Sequence, residues 1–433
     1  IKDIILTRGS SSGGPDGIPF SFWKKVVDAA APLFYDLICY LGSGGPARGT
    51  TKFNWSNLFF IPKKEKSKKS TEMRPISISN TDNRIVASCV KSVLQPSLKE
   101  IVGPNNHAFL PDRTIEAPIR RFNGHFFSAL EAKREYYVML VDFAKAFDSV
   151  STTYLMKLLE LVGVPKWVCN IITCLYRNVK STPILFDNHS VKLQLHDGMK
   201  QGCPLSPLLF IVAVAPMLFH LEHISVDAEG FADDLALGFH DPAILNRCIT
   251  EIDELSAATG MATNKTKTKL LCTVGDGKNI IDALNGSWKD VTTSEFERYL
   301  GTYLGRNTDV NKVFDGAWSK LTERLAKYAS FKKFFTLQGR VDIANSFLLP
   351  LFSFLFRYYM MTETFMYDVE RAIGKWVVAN SRYQFEHLTS SADQIGIHRP
   401  LRDIFRTNVA TLLRKTPAVD WVVPLDMASC LMA

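Results

Sequence analysis

A chain of 433 residues with 46% hydrophobic content is long enough to bury a large core and to fold as several subdomains. Its formal net charge of +8 favours a polyanionic partner. The eight cysteines are scattered with no Cys-x-x-Cys pair, which argues against a structural zinc site and against a secreted disulfide framework.

Ile1 opens the chain with no charged-then-apolar leader behind it, so residue 1 is expected to lie inside a longer protein. Ser10 to Gly14 reads as a flexible approach, and Gly42 to Gly49 as a second loop. The densest basic run, Lys63 to Lys69, holds five lysines and one glutamate and suits either phosphate contact or plain solvation. Tyr136 to Val141 is β-branched and aromatic, the composition of a buried central strand that delivers Asp142 at its end. Asp148 precedes Ser149 and Ser151 ahead of Tyr154 to Leu159, where capping a helix is its expected task.

In the stretch Asp197 to Phe210, Gly198 and Gly202 let the backbone approach a ligand, and the prolines are placed to start an apolar helix. Pro204 to Leu221 is nearly long and apolar enough to span a bilayer. Its three prolines and the preceding Gln201-Gly202 turn make it instead a buried helix, with no membrane partner expected. Gly230 to Leu237 sets Asp233 and Asp234 between apolar strand formers, as an antiparallel hairpin with the charge in its turn. Two adjacent ionised carboxylates repel each other, and a hard divalent cation bound through oxygen would neutralise them. With Asp142 on a neighbouring strand, the three acids would form a cluster able to hold two Mg²⁺ between an attacking and a leaving oxygen, which is phosphoryl-transfer chemistry. Further on, Phe314, Trp318, Leu321, Leu325 and Tyr328 recur at the spacing of one helical face. Lys320, Arg324 and Lys327 fall elsewhere on that helix, a basic face able to track a duplex backbone. No internal repeat is visible.

The succession Val141-Asp142-Phe143 to Phe147-Asp148, Gln201-Gly202-Cys203-Pro204-Leu205-Ser206-Pro207 and Phe231-Ala232-Asp233-Asp234 resembles palm motifs A, B and C of the reverse transcriptases of non-LTR (LINE-type) retrotransposons. Pro15-Asp16-Gly17-Ile18-Pro19, Leu58 to Lys63 and Met73 to Ser77 are similar to the family's finger motifs. Asn264 to Thr268 resembles the motif after the catalytic hairpin, with Lys267 at its lysine. Tyr299 to Gly305 is similar to the passage from palm to thumb, and Leu337 to Arg340 falls within the thumb. Asp393 to Arg414 resembles the post-thumb segment, and no zinc-binding or nuclease signature follows it. One departure stands out: Asp112, in Phe109 to Thr114, occupies a place where the family usually has Gly.

The resemblance implies an α+β, right-hand polymerase: fingers over 1–135 with an N-terminal extension, palm over 136–300 with an antiparallel sheet, helical thumb over 301–385 and a post-thumb segment over 386–433. The implied activity is RNA-templated DNA synthesis from a primer 3′ hydroxyl, in target-primed reverse transcription by a mobile element. Asp142, Asp233, Asp234 and the carbonyl of Phe143 would hold two Mg²⁺, with Mn²⁺ as the alternative. Lys63 and Arg74 would neutralise the triphosphate of a dNTP, Gln201 and Gly202 would position nucleotide and template base, and Lys267 would protonate departing pyrophosphate. Phe147 would exclude ribonucleotides, and Lys320, Arg324 and Lys327 would contact the primer–template duplex. Nuclear localisation is expected on the same ground. A domesticated RNA-binding scaffold of the same fold and a group II intron or retron-type enzyme are the alternatives, against which the intact acids and the Cys203-Pro204-Leu205 and Phe231-Ala232 pairings argue.

Overall fold

The computed structural model describes all residues except 10, 46–51, 64–68, 70–71, 186–187, 190–191, 225, 307–308, 379–387, 391–396 and 416–433. Most of the basic run after Lys63 and much of the expected post-thumb segment therefore lie outside the described residues. The chain divides into two compact units, Ile1–Leu300 and Gly301–Ala433.

The first unit opens on helices α1 (Lys2–Thr7), α2 (Phe20–Lys25) and α3 (Val27–Gly42). Strands β1 (Trp55–Pro62) and β2 (Met73–Ser79) pair antiparallel, and Pro75 is tolerated because β2 lies at the edge of its sheet. Helices α4 (Thr81–Leu94), α5 (Leu98–Val102) and α6 (Glu116–Glu131) lead to β3 (Tyr137–Val141), β4 (Phe143–Ala144), α7 (Ala146–Ser149), α8 (Thr152–Leu161) and α9 (Lys166–Tyr176). There follow β5 (Val179–Leu185), β6 (Asn188–His189), β7 (Leu193–Leu195), α10 (Ser206–His223), β8 (Asp227–Phe231), β9 (Asp234–Phe239) and α11 (Leu245–Thr259). The unit closes with β10 (Ala262–Thr263), β11 (Lys269–Cys272), α12 (Lys278–Asp282), β12 (Thr292–Ser294) and β13 (Phe296–Tyr299).

Among the described residues the central sheet runs β12-β11-β3-β9-β8, antiparallel throughout except for the β11–β12 pair. β3 is its middle strand, and Val138 and Met139 are fully buried, which is why this strand is apolar on both faces. α10 is apolar all round for a matching reason. It is long and apolar enough to cross a membrane, yet twelve of its residues are buried in the protein, so it is a core helix. Pro207 falls in its first turn, where the missing N–H is no loss. A second sheet joins β1, β2, β5, β6 and β7, with β1 parallel to β5.

The second unit holds β14 (Thr302–Gly305), α13 (Val310–Ala329), α14 (Leu337–Ile343), α15 (Glu363–Val377) and α16 (Ile404–Lys415). In α13 the expected apolar face is inward: Phe314 and Leu321 are buried, and Trp318, Leu325 and Tyr328 are half-buried. Phe314 meets the rings of Phe352, Phe356 and Phe365 at 5.8–6.3 Å, so the aromatic stripe is core.

Candidate active site

The register of the central sheet brings the acids together. β3 and β9 pair antiparallel with Val141 opposite Leu235, so the next residue of β3, Asp142, leaves the strand beside Asp234. β8 and β9 close on Phe231 opposite Asp234, leaving Ala232 and Asp233 as a two-residue turn. Ala232 has φ +57, a left-handed conformation that a side chain disfavours by about 1–2 kcal/mol. Strain of this kind, next to charge, is characteristic of functional turns.

The 264–268 turn fixes Asp142 from the other side. The backbone N–H of Asn264 donates to the Asp142 carbonyl at 2.7 Å, and the Asp142 N–H donates to Thr268 Oγ1 at 3.3 Å. Thr263 pairs with buried Phe143 through β10 and β4. Three lysines lie in this region, and the structure separates them. Lys265 donates to Ser287 Oγ at 2.7 Å, stands 3.6 Å from Asp253 and lies over the Trp288 ring. Lys269 donates to Thr292 Oγ1 at 2.6 Å. Lys267 is exposed, with its Nζ 3.8 Å from Asp142 Oδ2, and is the one of the three aimed at the acids.

The electrostatics follow this geometry. Burial, then the charges of Asp233 and Asp142, push the Asp234 carboxyl up to about 6, against the pull of Arg298. Burial also raises Asp142; Asp233 adds to the rise, while Lys267, Asn264 and Lys63 oppose it. Among the described residues no three His, Cys, Asp or Glu side chains converge as a closed ligand set, so the acids are gathered at electrostatic rather than coordination range. Hard carboxylate oxygens whose mutual repulsion is only partly offset by Lys267, Lys63 and Arg298 fit a hard divalent ion, which would draw them in.

The loop carrying Gln201 and Gly202 is wedged between α7 and β2. Gly198 N–H donates to Val150 O at 2.9 Å, Met199 N–H to Phe147 O at 2.6 Å, and Ser77 N–H to Gln201 O at 2.7 Å. Gly198 has φ +90 and Gly202 φ +110, and a Cβ on either would stand 2.5 Å from a backbone oxygen, that of Asp148 or Ser77. Both positions therefore require glycine. Asp148 departs from its expected task. The N-cap of α8 is Ser151, whose Oγ accepts from Tyr154 N–H at 3.3 Å, and Asp148 Oδ1 accepts from Gln201 Nε2 at 2.9 Å. The reason is that α7 intervenes and turns Asp148 toward the loop. A cavity of about 150 Å³ opens here, lined by Ser77, Asp148, Tyr176, Lys200 and Gln201 among others. Buried Lys200 Nζ donates a hydrogen bond to the Leu175 carbonyl at 2.9 Å, and burial lowers its pKa.

Phe147 is half-buried. Its ring stacks on Phe210 of α10 at 4.1 Å and meets Phe109 edge-on at 6.4 Å, so packing fixes its orientation. Lys63 and Arg74 are exposed at the loop end of the β1–β2 hairpin, where Ile61 lies opposite Arg74 and Lys63 N–H donates to Glu72 O at 2.8 Å. The charge of Lys63 is felt at both Asp142 and Asp148. Among the described residues no side-chain hydrogen bond or ion pair engages Arg74. Within the second unit Lys320 and Lys327 are exposed, whereas Arg324 donates to the Phe347 carbonyl and is committed to its own unit's backbone.

A family profile described as reverse transcriptase (RNA-dependent DNA polymerase) matches residues 61–305. The chain is 24% identical over 396 residues to the transposon TX1 uncharacterized 149 kDa protein of Xenopus laevis, covering 87% of this chain and 30% of that protein. It is 26% identical over 373 residues to a retrovirus-related Pol polyprotein from a type-1 retrotransposable element R2 of Bradysia coprophila, covering 80% and 40%. The chain thus spans well under half the length of these curated relatives. Among solved structures it is similar to apo telomerase from Candida tropicalis, at 13% identity and TM-score 0.48, covering 95% of this chain and 72% of that one.

Proposed function

Because the chain belongs to the reverse transcriptase (RNA-dependent DNA polymerase) family, we propose that its first unit is the active-site region of an RNA-templated DNA polymerase from a non-LTR retrotransposon. The observation that carries this reading is the β3–β9 register, which sets Asp142 beside Asp234 one residue from the Ala232-Asp233 turn. In the reaction a primer 3′ oxygen forms a bond to the α-phosphorus of a dNTP, and the bond from that phosphorus to pyrophosphate breaks.

The family works with divalent metal ions, and Asp142, Asp233, Asp234 and the Phe143 carbonyl would hold them, two Mg²⁺ in this reading. Bound there, they would favour ionisation of the attacking hydroxyl and neutralise the leaving oxygen. Lys267, near Asp142 and exposed, is placed to give a proton to pyrophosphate. Lys63 and Arg74 neutralise the triphosphate. Gln201, held by Asp148, and Gly202 set the position of the nucleotide and its template base. Phe147 forms the floor that rejects a 2′ hydroxyl. Residues 1–135 would then be fingers, 136–300 palm, 301–385 thumb and 386–433 a post-thumb segment. Lys320 and Lys327 would follow the primer–template duplex, Arg324 being held by the Phe347 carbonyl, and residence in the nucleus accords with target-primed synthesis.

Extension of an annealed DNA primer on an RNA template, with dNTPs and Mg²⁺, tests the reading. The protein should extend the primer, while Asp142→Asn and Asp233→Asn should each abolish extension and keep template–primer affinity. Absence of extension by the unaltered protein, or activity surviving either change, would overturn it.

A further inference from the structure

The hairpin that carries Asp233 and Asp234 is gripped from below. β8 is the edge strand of the central sheet, and on it Glu229 has a fully buried side chain. A buried carboxylate is tolerated only when paired. One oxygen of Glu229 meets His107 Nε2, and the other forms an ion pair with Arg121. Arg121 comes from α6. Four residues on, His125 of the same helix binds Asp227 at 2.9 Å, so one face of α6 meets alternate residues of β8.

His107 comes from the segment joining α5 to α6, and that segment also holds the main chain of β8. His107 N–H donates to Gly230 O and Gly230 N–H donates to Asn105 O, each at 2.8 Å. Asn106 is paired parallel with Gly230, two residues before the turn. The segment is itself locked by Arg113, whose Nη1 donates to the carbonyls of Gly103, Pro104 and Asn106 at 2.6, 2.9 and 2.6 Å.

We propose that Glu229, His107 and Arg113 form a brace that fixes the Ala232-Asp233 turn against Asp142, and that they are positioning residues for the polymerisation site. An edge strand ending in a strained turn with two repelling acids has reason to move apart, and the brace supplies on its open side the pairing that a further strand would give. Displacement of a catalytic group by about 1 Å costs on the order of 10²-fold in rate. The role rests on the polymerase reading, while the physical brace does not.

Glu229→Gln keeps the shape and removes the charge. Single-turnover extension at saturating dNTP should slow by about 10- to 100-fold, with template–primer affinity unchanged within about twofold. Hydrogen exchange should accelerate in 103–113 and 227–239 and stay as before in the rest of the first unit. Arg113→Ala, which removes the donor to all three carbonyls, should show the same local signature, and it decides the matter if Glu229→Gln does not fold. Unchanged exchange in both segments, or acceleration spread through the whole unit, would overturn the brace. Local exchange with an unchanged rate would overturn its positioning role. Should the unaltered protein fail to extend primers at all, the polymerase reading falls, and the exchange result still judges the brace.

Discussion

Asp112 shows how a single residue can depart from a motif and still obey its physics. Its φ is +62, in the left-handed region where a glycine is the default and Asp among the better-tolerated alternatives, and Lys99 meets its carboxylate at 2.9 Å. Asp112→Gly should leave the fold intact where a β-branched replacement would strain it. The two neighbouring lysines Lys265 and Lys267 divide just as sharply. Lys267→Ala should slow extension by about 10²-fold without lowering the melting temperature, as loss of a general acid would. Lys265→Ala should do the reverse, since it abandons Asp253, Ser287 and the Trp288 ring. Single-turnover kinetics and thermal melts on both variants decide. Asp234 carries a pH dependence of definite sign. Its carboxyl is raised from 3.8 to about 6 in the fold, so the folded state holds the proton more tightly than the unfolded chain and loses stability as pH rises from about 4 through about 6. Asp234→Asn should therefore melt higher than the parent at pH 7.5 with a chelator present, and that gain should vanish near pH 4. Added Mg²⁺ should raise the parent's melting temperature by more than the variant's. A gain independent of pH would refute the electrostatic origin.

At the scale of elements, the turn from β4 into α7 sets Phe147 against Phe210 at 4.1 Å and Asp148 against Gln201. Phe147 is a packed ring and, in the proposed reading, also the floor of the nucleotide site, so its truncation should register twice. Phe147→Val should cost about 1–3 kcal/mol, less than for a fully buried ring, and should raise the use of rNTPs relative to dNTPs. Denaturant unfolding and competition between the two nucleotide classes measure the two effects, and an unchanged nucleotide preference in the folded variant would leave packing as the ring's whole role. α10 teaches the converse lesson. Its apolar run is as long as a membrane span, and only its burial inside the first unit shows which use the run serves.

For the whole molecule, the net charge of +8 matters through where the cations stand. Lys320 and Lys327 are exposed on α13, while Arg324 donates to the Phe347 carbonyl. Replacing the two lysines by Ala should make the dependence of log affinity on log salt for a primer–template shallower by about 1.8, or about 0.9 per phosphate contact, measured by titration at several salt concentrations. Arg324→Ala should add loss of stability, and an unchanged slope in the double variant would mean that the duplex runs elsewhere. What the sequence by itself determined was the set of groups with a local signature: the apolar strand ending in Asp142, the hairpin with Asp233 and Asp234, the glycines of the Gln201 loop and the inward stripe of α13. Periodicity and residue type report these because each is decided within a few residues of chain. The tertiary structure alone decided that Lys265 and Lys269 are held by Ser287 and Thr292, that Asp148 holds Gln201 rather than capping α8, and that Glu229 is pinned by His107, 122 residues away. Such pairings depend on sheet register and on how helices cover it, and a register that shifts by one residue turns every side chain of a strand to the other face, so no local pattern could have announced them.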